Sequence, residues 1–426
     1  MDKDFQMDNL NNKTRIACYA LIAKNAGSLA SANFLIIEEL LKRGYEIDFY
    51  SMNGFNNPQE LSEYKNLNYI NTSILLINFV WQFLEILPNN GGSLYSIWAR
   101  ISASLYFKEI AKIAKYYHKE KKYDLSLFLG IPGFFKLKNT PTISWLQGTF
   151  QTEWQSIKKL KKQIISLCGI KEYLKLEVFY NYSSLVTRKL HSMTDIFICG
   201  SQWSKEMLSS WGLAKNNIKV LPYPIDVTFF NSNPIEPKKK EDRITFLWLG
   251  RIVPRKRIDL LLEAFLLLAK ESPNVYLKII GSFSYAKKYK QLIDNFELRD
   301  RVFYQENINR LNVPELMNSI DVLIQPSESE NFGSSVAEAL SCGVPVIVGA
   351  TNGTKDYISP SSLIFKEYSP ESLKAAMKMA IDALDKNRGE ISNEARLTAE
   401  KEFDTLKVVD KLEVIFKDAI KRYGDQ

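Results

Sequence analysis

Two stretches of the chain alternate short apolar runs with longer segments of helical period, the pattern that parallel βαβ units leave in a sequence. The first opens with Arg15-Ile16-Ala17-Cys18-Tyr19-Ala20-Leu21, read as a strand. A small-residue loop follows, Asn25-Ala26-Gly27-Ser28, and then a helix expected from about Ala30 to Lys42. Arg43-Gly44 stops that helix, because glycine accepts the left-handed conformation in which helices commonly end. Further strands are expected at Tyr45–Ser51, Leu125–Leu129, Thr142–Leu146 and Ile196–Cys199. The second stretch begins at Ile244-Thr245-Phe246-Leu247-Trp248-Leu249-Gly250 and runs through strands at Val275–Gly281, Val302–Gln305, Val322–Gln325 and Val344–Val348. Between the stretches, residues 231–242 are polar, charged and twice punctuated by proline, which reads as a linker.

The alternation predicts an α/β protein of two Rossmann-like, parallel-sheet domains facing each other. Their expected extents are 1–228 and 244–405, joined by a linker at 229–243, with a terminal segment at 406–426. Ligands of such sheets bind beyond the carboxyl ends of the strands, so the cleft between the domains is the default site.

Composition narrows this little but excludes much. A chain of 426 residues exceeds one ordinary core, and 46% apolar with 24% charged residues is globular usage rather than disorder. The longest apolar run, Ile74 to Leu87, is broken by Asn78, Gln82 and Glu85, and is shorter than the roughly 20 residues that span a bilayer. Met1-Asp2-Lys3-Asp4 lacks the basic and apolar regions of a secretory signal, so a cytoplasmic location is expected. Cys18, Cys168, Cys199 and Cys342 lie far apart without metal spacing, and buried reduced thiols are the expectation. His118 and His191 are the only histidines, which argues against a His-rich metal site or a His-based triad. No metal and no nucleic acid are expected as partners.

The formal charge of +8 is unevenly placed. Between Lys158 and Lys175 stand six lysines (158, 159, 161, 162, 171 and 175) against one acid, Glu172. Ile157, Leu160, Ile164, Ile165, Leu167, Ile170, Leu174 and Leu176 are interleaved with them. A basic amphipathic segment at 157–176 has two readings of equal weight: a helix on a membrane surface, or a solvated face packed on its own domain.

The sharpest constellation runs from Pro326 to Leu340, around Glu330-Asn331-Phe332-Gly333-Ser334-Ser335. A buried strand ends near Gln325 and a helix is expected from Gly333 or Ser334. Small residues there let a diphosphate approach the free amides of the first turn, where the helix dipole favours anions. Glu338 lies on the face of Ser335, three residues on, and a carboxylate there accepts hydrogen bonds from vicinal hydroxyls. Glu330, in the loop before the helix, is placed to meet a sugar carried by the diphosphate. Either acid alone is read more simply, as a helix-start acid or a solvated loop residue. The second constellation is Gly250-Arg251-Ile252-Val253-Pro254-Arg255-Lys256-Arg257, cations at the carboxyl edge of the second sheet. Such cations neutralise the charge on a departing diphosphate without a metal. Spacing alone leaves open the alternative of a surface basic turn.

These motifs resemble the retaining glycosyltransferase family 4, with its GT-B fold. Glu330 through Glu338 matches that family's paired glutamates, seven residues between them and Phe-Gly inside, and Gly250-Arg251 with Lys256 matches its Arg and Lys. Gly281, Pro326-Ser327 and Leu221-Pro222-Tyr223-Pro224-Ile225-Asp226 fall where the family has counterparts. The resemblance covers nearly all of the second domain and the first only thinly. It implies that Arg251 and Lys256 bind the diphosphate of a nucleotide-sugar donor and Glu338 its ribose. It also implies that the amides of Phe332 to Ser335 cover the phosphates, and that Glu330 meets the transferred sugar. Arg255 and Arg257 are expected to be surface cations. Gly27-Ser28 resembles the glycine-rich loop near phosphate and acceptor, with serine where a second glycine is usual. Gln147, in Trp145-Leu146-Gln147-Gly148, stands where many members have histidine; it hydrogen-bonds but carries no proton. Asn352-Gly353-Thr354-Lys355-Asp356 replaces a glycine pair and glutamate, with Asp356 expected to cap.

The resemblance implies retaining transfer of a hexose-type sugar to a glycan, glycolipid or other glycoconjugate, as in polysaccharide biosynthesis, at the cytosolic membrane face and without a cofactor. It also implies that the 406–426 helix returns to the first domain. The rivals are a sugar-nucleotide epimerase of the same fold and a catalytically silent scaffold.

Overall fold

A computed structural model of the chain describes residues 14–24, 28–51, 59–70, 108–231, 243–283, 288–294, 298 and 300–424. Contacts divide the chain into two compact units. One is Met1–Leu146, Leu190–Ile198 and Lys411–Gln426; the other is Gln147–Lys189 and Cys199–Asp410. The helices between residues 150 and 190 therefore group with the second unit, although the sequence pattern assigned them to 1–228.

The first sheet has strands β1 (Arg15–Ala20), β2 (Glu46–Ser51), β3 (Leu67–Ile70), β4 (Leu125–Leu129), β5 (Thr142–Leu146), β6 (Ile196–Cys199) and β7 (Ile218–Val220), in the order β3-β2-β1-β4-β5-β6-β7. The central register is parallel, with Ile16 opposite both Ile47 and Leu125. Strands covered on both faces are mostly apolar, and β4 and β5 are buried at every position, enclosing Ser126, Thr142 and Ser144 among apolar neighbours. Tyr19 stacks between Tyr50 and Phe128, each ring 4.6 Å away. The end of the Thr405–Gly424 helix, from Lys411, belongs to this unit: Glu413 pairs with Arg43 at 3.1 Å and Phe416 packs on Tyr45.

The second sheet has β8 (Ile244–Leu249), β9 (Val275–Ile280), β10 (Val302–Gln305), β11 (Val322–Gln325), β12 (Val346–Gly349) and β13 (Leu363–Phe365), in the order β10-β9-β8-β11-β12-β13. Its core is aliphatic and aromatic, with Phe246, Trp248, Leu261, Phe265, Leu277 and Ile324 fully enclosed. Strand order reverses between β1 and β4 in the first sheet and between β8 and β11 in the second. At such a point the loops leaving neighbouring strands diverge and open a crevice. In the second unit those loops are the segments after Leu249 and after Gln325, the two constellations singled out by sequence.

The lysine-rich segment breaks into three helices, Phe150–Lys159, Lys161–Cys168 and Ile170–Leu190. Ile157, Leu160, Ile164, Tyr173 and Leu176 close on one another as a buried cluster. Ile157, Leu160, Ile164 and Leu176 are thus committed to packing, because the breaks at Leu160 and Gly169 fold the helices back together, whereas Ile170 and Leu174 stay exposed. Among the described residues, no helix is long and apolar enough to cross a membrane.

Candidate functional site

The loop after β8 is shaped by a close backbone approach. Gly250 donates to the Ile280 carbonyl at 3.0 Å, and a Cβ on Gly281 would lie 1.7 Å from the Gly250 oxygen. Only glycine fits at 281. The chain then makes a short helical turn, Pro254–Lys256, and leaves it at Arg257 in the left-handed conformation, φ 49°. That turn sends three successive cations inward.

Arg255 donates from Nη1 to Glu330 Oε2 at 2.8 Å, and Lys256 Nζ contacts the same oxygen. The other edge of Arg255 reaches Glu153 Oε1, with Nε 2.8 Å away. Glu153 stands in the first turn of the Phe150–Lys159 helix, whose cap is Thr149 accepting from the Thr152 amide. Arg257 pairs with Glu328 at 2.9 Å and with Asp259 at 3.2 Å, and Lys159 reaches the other Glu328 oxygen at 2.5 Å. The expectation that Arg255 and Arg257 are surface cations is therefore corrected. Both are enclosed because the Arg257 turn folds them under the loop after β11, where the Glu328 amide donates to the Arg255 carbonyl at 2.7 Å. Arg251 is the exposed cation, and among the described residues no carboxylate pairs with it.

The loop after β11 is held on three sides. Ser329 is in the left-handed region, φ 64°, and its amide donates to Thr351 Oγ1 at 3.1 Å. Glu330 and Asn352 form a parallel bridge, with the Gly353 amide donating to the Glu330 carbonyl at 2.8 Å. Ser201 donates to the Asn331 carbonyl at 2.9 Å and Ser204 to its side-chain oxygen at 3.1 Å. The Phe332 ring turns into the core against Tyr223, Phe403 and Tyr357, so at this position only the backbone is offered to a ligand. Gly333 caps the Ser334–Ser341 helix; a Cβ there would strike the Gln325 side chain at 2.3 Å. Gln325 in turn donates to Ser335 Oγ at 2.8 Å. The amides at the start of this helix have no intrahelical acceptor, which leaves them for an anion. Asn352, not Asp356, caps the Gly353–Tyr357 turn, because its side chain reaches the Thr354 amide while Asp356 is exposed.

Glu338, almost wholly enclosed, pairs through Oε1 with Arg310 Nη1 at 2.7 Å. The Arg310 guanidinium lies 4.8 Å over the Phe230 ring. The two glutamates differ in electrostatics. Burial pushes the Glu330 carboxyl upward, but Arg255 and Lys256 outweigh it and hold it at about 2. Burial raises the Glu338 carboxyl, and the single Arg310 only partly opposes this. Burial also lowers the Lys256 ammonium, against the pull of Glu330 and with the push of Arg255 and Arg251. Such a cation gains from a second anion.

The structure therefore brings Gly250, Arg251, Lys256, Glu330, Asn331, Phe332, Gly333, Ser334, Ser335 and Glu338 onto two loops and one helix of a single unit. Gln147 joins them, half-buried at the end of β5, with Gly148 placed so that a Cβ would be 3.5 Å from Asn331 Nδ2. Ser28 opens the Ser28–Lys42 helix of the first unit, and Gly27 lies outside the described residues. Sequence reasoning missed Glu153, Arg255 and Arg310 as members. Only Arg255 carried a signal, its place beside Lys256; the other two arrive from distant segments.

Residues 230–398 match the family model described as glycosyl transferases group 1. A phosphatidylinositol N-acetylglucosaminyltransferase component of Schizosaccharomyces pombe is 26% identical over 213 residues, 49% of this chain and 46% of that protein. The chain spans about half the length of the curated relatives it matches. Among solved structures, the sucrose-phosphate synthase of Thermosynechococcus elongatus superposes with a TM-score of 0.66 at 16% identity, over 95% of this chain and 98% of that one. Anabaena Alr3699/HepE in complex with UDP-glucose gives 0.62 at 16% identity, over 95% and 99%. At those identities the likeness is one of fold. Residues 230–398 of this chain are similar to the group 1 glycosyl transferases, and the chain as a whole has the GT-B fold.

Proposed function

We propose that this protein is a retaining glycosyltransferase that moves a hexose-type sugar from a nucleoside-diphosphate sugar to a glycan or lipid-linked acceptor. The observation that carries the reading is the enclosed pair Arg255 and Lys256, both on Glu330 and beside a helix start rich in small residues. In the free protein Glu330 neutralises both cations. A donor diphosphate brings charge that Lys256 and Arg251 stabilise as the bond to the sugar breaks, and preorganised cations in an enclosed site act strongly at that moment. Glu330, released in part, is free to accept from the hydroxyls of the transferred sugar. Glu338 keeps Oε2 for the ribose hydroxyls while Arg310 holds Oε1, which makes Arg310 a positioning residue. The acceptor hydroxyl attacks the face the leaving group departs from, and the leaving phosphate takes its proton, so Gln147 need only hydrogen-bond. Two cations and the helix start take the place of a metal.

A complex of a like-folded protein with UDP-glucose supports the donor class, and a relative named for phosphatidylinositol supports a lipid-linked acceptor. The test is to incubate the pure protein with a panel of nucleotide sugars and follow slow donor hydrolysis, with and without excess chelator. Hydrolysis of one donor, indifferent to chelator, is expected. Loss on chelation with recovery on a divalent ion overturns the metal-free clamp, and an inert protein that still binds nucleotide indicates a silent scaffold.

A further inference from the structure

The Ile170–Leu190 helix carries its large apolar side chains on the side away from its own core. Its buried residues are Tyr173, Leu176, Ser183 and Ser184, so the second half turns serines inward. These serines are satisfied locally, Ser183 Oγ donating to the Phe179 carbonyl at 2.8 Å and Gln151 Nε2 to the Ser184 carbonyl at 3.2 Å. Outward stand Ile170, Leu174, Val178, Phe179, Tyr182, Leu185 and Val186, with Val178 68% and Leu185 56% exposed. At 100° per residue these positions fall within roughly half the circumference, along a helix about 30 Å long. One exposed leucine needs no explanation, but a contiguous apolar face does.

The charges around it say what it faces. Lys171, Lys175, Arg188 and Lys189 are all exposed, and the helix holds only two acids, Glu172 and Glu177. Lys171 and Lys175 sit among Ile170, Leu174 and Val178, so their stems extend the apolar surface while the ammonium groups reach past it. We propose that this face docks on an anionic lipid bilayer, the helix lying in the interfacial plane with its apolar residues in the headgroup boundary. The inference rests on the lipid-linked acceptor proposed above and assigns it a surface. It shares only Ile170 and Leu174 with the apolar residues of 157–176, since Ile157, Leu160, Ile164 and Leu176 are committed to packing. Each cation near an anionic surface is attracted to it, and the apolar residues add area-dependent binding.

The test floats the full chain with phosphatidylglycerol–phosphatidylcholine vesicles and with phosphatidylcholine alone, at low and high salt. Wild type should float with the anionic vesicles and less so in salt, because surface attraction is screened. The triple variant L174S/V178S/L185S should lose roughly tenfold or more of its bound fraction, with unchanged melting and nucleoside-diphosphate affinity. Wild type that ignores anionic vesicles overturns the proposal, as does a triple variant that binds them equally. A dimer that the triple variant abolishes would make the face an interface between copies, and also overturns it. Donor hydrolysis in vesicle-free buffer is read in parallel, so a failure of sugar transfer is told apart from a failure of docking.

Discussion

Glu330 and Glu338 stand at the two ends of one motif, both almost wholly enclosed, yet their carboxyls are moved in opposite directions. Burial disfavours the charged form equally in kind at both. What differs is the count of cations. Two converge on one oxygen of Glu330, whereas Glu338 has Arg310 alone. The difference teaches that the motif's first glutamate is a charge reservoir for the cations and its second a poised acceptor. Each can be broken separately.

The largest effect is expected at the first. Lys256→Ala removes a cation that meets the leaving group, and turnover should fall on the order of 100-fold with the fold intact. Arg257→Ala is the contrast: its partners Glu328 and Asp259 make it a strut, so melting should drop while the turnover of the folded fraction holds. Steady-state kinetics beside thermal melts would separate the two, and equal kinetic losses would abolish the distinction between clamp and strut. At the second glutamate the effect is smaller. Glu338→Ala should weaken nucleoside-diphosphate binding by about 1.5–3 kcal/mol, read by calorimetry.

The subtlest change sharpens the comparison by making the second glutamate worse. Arg310→Ala takes away the only cation opposing burial, so the Glu338 carboxyl should rise further and protonate more as pH falls. Nucleotide affinity relative to wild type should be poorest at the acid end and recover as pH rises. The neighbouring Cys342 thiol, pushed by burial to about 12, does not titrate in that range, and Arg396 is bound by the Val227, Phe230 and Ser341 carbonyls. For folding the signs are opposite at the two acids. Glu330, held low, contributes stability above the usual carboxylate pKa and loses it as pH falls toward about 2. Glu338, held high, contributes stability at low pH and loses it as pH rises through its folded value. A pH-independent Arg310→Ala would leave Arg310 as a packing residue on Phe230.

The interior strands β4, β5, β6 and β11 were legible because burial on both faces leaves mostly apolar runs, and they coincide with the expected spans; β10, at a sheet edge, was found as well. The strands missed, β3, β7 and β13, are all at sheet edges and have only one buried residue each over three or four positions. So short a half-buried run has no period to detect. The site divides likewise. Lys256, Glu330 and Glu338 carry their signal in local spacing. Glu153 and Arg310 do not, since a salt bridge between distant segments leaves no trace in composition. The lysine-rich segment misled in another way: its helical period was real, but the chain turns at Leu160 and Gly169, burying Ile157, Leu160, Ile164 and Leu176 and leaving Ile170 and Leu174 outside.

Gly281 carries no charge, donates its amide only to the Gln305 carbonyl at 3.0 Å, and lies two strands away from the glutamates. Yet any side chain there collides with the Gly250 carbonyl and would shift the loop that carries Arg251 to Arg257. In a survey of sequence tolerance position 281 would therefore be as invariant as the lysine it supports. Constraint of this kind marks where the scaffold has no slack, and an engineer wishing to retune the donor would do well to leave it untouched and vary Arg310 instead.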